Sequence, residues 1–126
     1  MLPLQLVAEV EDLRKEERQI DLFEGGGWAC MVFHDYPLPP SYNRDRTRLL
    51  LKFPISYPEG RPDMFWTEKD VFCKDGRIPR NSDVIEGFIG AEWRRFSWHP
   101  QRWNPGVDNL RTYLEFVDHG LIGAVS

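Results

Sequence analysis

Cys73, Ser97 and His99 are the side chains of this sequence whose types and spacing suit nucleophilic chemistry. A thiolate is accessible near neutral pH, so Cys73 could form a covalent intermediate unaided. A serine hydroxyl is a much weaker acid and needs a neighbouring base. His99 stands two residues beyond Ser97 in Phe96-Ser97-Trp98-His99 and could be that base. Ser-x-His pairs also arise by chance, and a loop serine beside a packed histidine would read the same way. No Gly-x-Ser-x-Gly elbow and no third member accompany the pair, which ranks a small hydrolase last. Cys30, between Ala29 and Met31, reads as strand packing. A buried or half-buried thiol is also the ordinary state of a free cysteine such as Cys73. His34, His99 and His119 lack metal-ligand spacing, and two cysteines make neither a zinc site nor a disulfide framework. No metal and no small cofactor is expected.

The elements that must position these residues follow from periodicity. Leu6, Val10 and Leu13 recur at helical spacing and predict a helix from Leu4 to Arg18, with Pro3 in its first turn. Ile20 to Phe23 and Trp28 to Phe33, separated by Gly25-Gly26-Gly27, read as a hairpin. The three glycines are no phosphate loop, because no Lys-Ser/Thr follows and no helix opens there. Tyr36 to Ser41 holds too many prolines for a central strand. Arg46 to Phe53 and Asp63 to Thr67 are the next strands, joined by a proline-bounded turn.

Glu68 to Gln101 reads as one long irregular loop that carries Cys73, Ser97 and His99; a loop of that length in a compact domain is either functional or a sign of misassignment, and the functional reading is favoured here. A second helix is expected from Asp108 to His119, with Asp108 as N-cap, His119 at its C-terminus and Gly120 just past its end. The expected fold is therefore α+β: an N-terminal helix, a four-stranded antiparallel meander, a long loop and a central helix in a single domain spanning 1–126.

Sixteen basic residues against 20 acidic ones give a net charge of −4, which argues against a nucleic-acid binder. No apolar run is long enough for a membrane span. Met1 to Val10 lacks a basic leader and a cleavage site, which makes the cytoplasm the expected location.

Phe53-Pro54-Ile55-Ser56-Tyr57-Pro58, then Pro62 and Phe65, resembles the Phe-Pro-x-x-Tyr-Pro run of ubiquitin-conjugating enzymes, and Trp103-Asn104-Pro105 resembles the Trp-Ser-Pro segment before their central helix. Leu38-Pro39-Pro40-Ser41-Tyr42, Pro62-Asp63-Met64-Phe65, Phe96-Ser97-Trp98-His99 and Trp103-Asn104-Pro105-Gly106-Val107-Asp108 resemble prokaryotic ubiquitin-conjugating-like family E. The resemblance implies a UBC-like fold and a bacterial pathway. Its partners would be an activating enzyme, a ubiquitin-like protein and a metallopeptidase that trims it.

The chain departs from the wider pattern in having no His-Pro-Asn near Val71 to Cys73 and no Cys between Gly87 and Trp103. The helices that usually follow the central one are missing too, since the sequence stops at Ser126.

On that resemblance, the task is to carry an acyl group, the C-terminus of the ubiquitin-like protein. Ser97 lies six residues before Trp103, near the family's cysteine register, and is the expected carrier as an oxyester with His99 as base. Cys73, 30 residues before Trp103, is the second candidate. Arg94 and Arg95 would meet the incoming terminus or a developing oxyanion, with Trp98 and Trp103 as further partner contacts. Asp75, Asp83 and Glu86 could steer the attacking amine. Asn81 or Asn104 could replace the missing oxyanion donor, although Asn104 suits a turn. The alternative function is an inactive scaffold that binds the ubiquitin-like protein or the activating enzyme without accepting the acyl group.

Overall fold

A computed structural model describes all 126 residues. Helix α1 spans Leu4–Lys15 and buries Leu6, Val10 and Leu13, the stripe that predicts it. It stops short of Arg18 because Glu17 takes a left-handed φ of 66°. The Arg14 guanidinium then donates to the Ile20 carbonyl at 2.7 Å, directing the chain into the sheet.

Strands β1 (Ile20–Gly25) and β2 (Trp28–Pro37) form the expected hairpin. Its two central residues, Gly26 and Gly27, both have positive φ (59° and 84°), the geometry that matches strand twist in a two-residue turn. Strand β3 (Arg46–Pro54) pairs antiparallel with β2, and the short β4 (Phe65–Glu68) pairs with β3.

The sheet has six strands rather than four. The stretch expected as loop contains a second hairpin, β5 (Val84–Phe88) and β6 (Ala91–Phe96), turned by Ile89 and Gly90 at positive φ. β6 lies against β4, so the order is β1-β2-β3-β4-β6-β5 and the plain meander is broken. Val84-Ile85-Glu86-Gly87-Phe88 has no apolar alternation, and Arg94-Arg95 blunts the apolar signal of the second strand.

Helix α2 (Leu110–Gly123) is capped by Asn109, not Asp108. Asn109 Oδ1 accepts from the Thr112 amide at 3.0 Å, while Thr112 Oγ1 accepts from the Asn109 amide at 2.9 Å. The Asp108 carboxylate instead accepts from the Asn104 amide and closes the preceding turn. Gly120 does not end the helix, and His119 is consequently mid-helix rather than terminal. A Cβ on Gly120 would lie 3.0 Å from the Phe65 ring, so this glycine serves close packing.

Both helices lie on one face of the sheet. There Leu6, Val10, Tyr113 and Val117 pack with Met31, Leu49, Phe53, Phe65 and Phe96 into the main core. Burial of these side chains is the chief stabilising term. The opposite face holds a smaller core of Cys30, Val32, Leu50, Trp66 and Trp93 with no helix above it. Long cations cover it instead. Arg48 lies 4.9 Å over the Trp93 ring, and Lys52 lies 4.7 and 4.1 Å over Trp66 and Phe88. No helix is long and apolar enough to cross a membrane.

Candidate functional site

The residues singled out in the sequence fall in two places. Cys73 belongs to the connection between β4 and β5, which is seated on the C-terminal end of α2. The Arg80 amide donates to the Ala124 carbonyl and its guanidinium to the Gly123 carbonyl, each at 2.8 Å. The Tyr42 hydroxyl reaches the Leu121 carbonyl at 2.7 Å. These donors satisfy carbonyls that the end of a helix leaves without partners.

Tyr42 also forms a single β-bridge with Cys73, and the Lys74 amide donates to the Ser41 carbonyl at 2.7 Å. Asn43 holds the same segment by accepting from the Phe72 amide and donating to the Asp70 carbonyl, both at 3.0 Å. Cys73 begins a tight turn: its carbonyl accepts from the Gly76 amide and its amide donates to the Arg77 carbonyl, both at 2.9 Å.

This turn makes one wall of a cleft of about 360 Å³ lined by Cys73, Lys74, Asp75 and Arg77, with Pro40-Ser41 and Val125 opposite. Cys73 lines this cleft but is itself only 3% exposed. Burial raises the Tyr42 phenol above its ordinary value, and the neighbouring Cys73 adds to the rise. Hydrogen bonds from the Arg77 amide and guanidinium hold the Asp75 carboxyl below its ordinary value. The cleft thus offers a thiol, two cationic side chains and an ionised carboxylate.

Ser97 and His99 lie elsewhere, just beyond β6. Pairing of Trp66 with Arg95 places Arg95 on the sheet face away from the helices. Arg95 Nε donates to Ser97 Oγ at 3.0 Å, and the Ser97 amide donates to the Asn81 carbonyl at 2.8 Å. His99 does not bond to Ser97. Its Nδ1 is 2.7 Å from Asp63 Oδ1, and the imidazole is exposed. Glu86 accepts from Trp66 Nε1 at 2.8 Å and lies 3.7 Å from Arg95. A second cleft, of about 280 Å³, is lined by Asp63, Trp66, Glu86 and Arg95.

The remaining candidates support these elements. Arg94 is buried, its guanidinium turned to the Ser82 and Lys69 carbonyls. Trp98 Nε1 donates to the Arg80 carbonyl at 3.1 Å while its ring packs against Gly120 and Gly123. Trp103 Nε1 donates to the Pro58 carbonyl at 2.8 Å, with its ring beside Tyr57 and Tyr113. Cys30 is fully buried, and His34 pairs with Asp21 at 2.8 Å. Asn104 shapes its turn by accepting from the Gly106 amide at 3.0 Å. Asn81 and Asp83 are exposed. No group of three His, Cys, Asp or Glu side chains is arranged to hold a metal ion.

The cleft walls Lys74, Arg77, Ser41 and Val125 were not legible as a site, since three separate stretches supply them. One signal was present: Cys73-Lys74-Asp75-Gly76-Arg77 puts a thiol at the start of a glycine turn between two cations. Asp63 as the partner of His99 carried no sequence signal.

No curated protein and no solved structure matches this chain significantly. The family model for prokaryotic E2 family E matches residues 6–124, which takes in α1 from its third residue, the whole sheet and α2. The chain therefore belongs to prokaryotic E2 family E, whose role at the family level is ubiquitin-conjugating and whose partners are a ubiquitin-like protein and an activating enzyme.

Proposed function

We propose that this chain is an acyl carrier. It takes the C-terminal glycyl group of a ubiquitin-like protein from an adenylating activating enzyme and passes it to an amine, with Cys73 as the nucleophile. The observation that carries this reading is the position of Cys73 on the wall of the cleft beside Lys74, Asp75 and Arg77. A tail ending in glycine is thin enough to enter such a cleft backbone first.

In the first step the Cys73 thiolate attacks the activated glycyl carbonyl, and the leaving group departs to the activating enzyme with its electron pair. The oxyanion that forms in between would face Lys74 or Arg77. In the second step an amine attacks the thioester, gives up a proton and returns Cys73 as thiolate. Asp75, kept ionised beside Arg77, is placed to hold the incoming ammonium until it loses a proton to solvent and attacks as the free amine. A cytoplasmic location and a metallopeptidase that trims the ubiquitin-like protein belong to the same reading.

A second reading keeps Ser97 as an oxyester carrier, as the sequence register suggested. The contact that favours it is Arg95 Nε on Ser97 Oγ, which would support an alkoxide. Against it, the expected base makes no hydrogen bond to Ser97, whose hydroxyl is met by Arg95 instead.

The test is intact mass after mixing the chain with its activating enzyme, ubiquitin-like protein and ATP. An adduct lost to thiol reductant, and absent in Cys73→Ala, is expected. An adduct that survives reductant, falls to hydroxide and disappears in Ser97→Ala would move the carrier to Ser97. No adduct in an otherwise active system would favour the inactive scaffold.

A further inference from the structure

Arg94 and Arg95 are neighbours in sequence but face opposite ways. Arg94 pairs across the ladder with Thr67 and Ile85, which turns it to the helix-side face, beneath the connection that carries Cys73. It is 4% exposed. Nη1 donates to the Ser82 carbonyl at 2.7 Å and Nη2 to the Lys69 carbonyl at 2.9 Å. Those carbonyls stand at the two ends of the connection. Asp70 and Asp83, the next residue along from each, add electrostatic attraction for the guanidinium. The Phe72 ring lies 4.7 Å from its central carbon.

Nε of the same side chain is buried with no hydrogen-bond partner. A buried cation with an orphan N–H is unfavourable, and an apolar side chain of similar volume would avoid that cost. Only a guanidinium, however, has donors in a fixed fork that can reach two carbonyls at once. The ammonium of a lysine would hold one end and release the other.

We propose that Arg94 is a positioning residue: a clasp that ties the two ends of the Lys69–Asp83 connection together and so holds Cys73 at the cleft. This rests on the reading of Cys73 as the carrier. Arg94 itself touches neither the thiol nor the acyl group.

The experiment uses the full chain, iodoacetamide as probe, and peptide mapping of both cysteines, with Arg94→Met and Arg94→Lys as variants. Cys30 is fully buried in the sheet and serves as internal reference for global opening. In Arg94→Met, Cys73 is expected to alkylate about tenfold faster through local opening, with Cys30 unchanged. Adduct formation with the ubiquitin-like protein is expected to slow even at saturating activating enzyme. Arg94→Lys should fall between wild type and Arg94→Met on both measures.

Equal acceleration at Cys73 and Cys30 in the milder Arg94→Lys variant would overturn the clasp, since it would mean a general loss of packing. An unchanged Cys73 rate in folded Arg94→Met would overturn it too, as would faster alkylation with adduct formation at the wild-type rate. Failure of the carrier reading registers separately, as an adduct that persists in Cys73→Ala, and the alkylation rates then still decide the clasp.

Discussion

The Phe65 ring occupies the place where a side chain on Gly120 would have to go: a Cβ there would sit 3.0 Å from Cε1 and 3.1 Å from Cζ. Phe65 is stacked on Phe96 at 4.9 Å and has no room to withdraw. Gly120→Ala is therefore expected to destabilise by about 1–3 kcal/mol despite the higher helix propensity of alanine. Urea unfolding measures this, and a neutral or stabilising result would contradict the close contact.

The start of α2 gives a paired test. Asn109→Ala removes the side-chain cap on the Thr112 amide and should cost about 1 kcal/mol. Asp108→Ala removes a hydrogen bond outside the helix and should cost less. A larger loss from Asp108→Ala in thermal unfolding would restore Asp108 as the cap.

All four tyrosines, Tyr36, Tyr42, Tyr57 and Tyr113, have phenols raised above the ordinary value of 10.0, chiefly by burial. Tyr36 and Tyr57 are raised further by donating to Asp118 at 2.6 Å and to Glu9 at 2.5 Å. A raised folded value means that this stability is fully present below the unfolded value and is lost as pH rises above it. The native chain should show almost no tyrosinate absorbance as pH passes 10.0, and unfolding free energy should fall progressively beyond it. Ordinary ionisation of any of the four in the folded chain would show that its phenol is not buried as described.

His99 separates the two carrier readings. With its Nδ1 on Asp63 and no bond to Ser97, His99→Gln should leave the rate of adduct formation within about twofold, as expected for an exposed residue outside the reacting atoms. A loss of a hundredfold or so, the scale of a missing general base, would favour Ser97.

Apolar spacing alone determined α1, the first hairpin and α2, because each has a strong period and a turn or cap residue beside it. Leu6, Val10 and Leu13 could hardly be read otherwise, nor could Gly26-Gly27 between two apolar runs. The β5–β6 hairpin escaped because its exposed edge strand mixes Val84 and Ile85 with Glu86 and Gly87, and edge strands need little apolar pattern. The family was legible from the short motifs taken in order. Its candidate nucleophiles were legible too, since thiol, hydroxyl and imidazole are properties of residue type.

Their grouping was not legible, because strand pairing decides which way neighbouring side chains point. Ladder register sends Arg94 inward to the Cys73 connection and Arg95 outward to Ser97. The same three-dimensional path gives His99 to Asp63, 36 residues away in sequence, and brings Val125 to the cleft that Cys73 lines. Residue types determined which chemistry was available, whereas the sheet register and the end of α2 decided which groups meet.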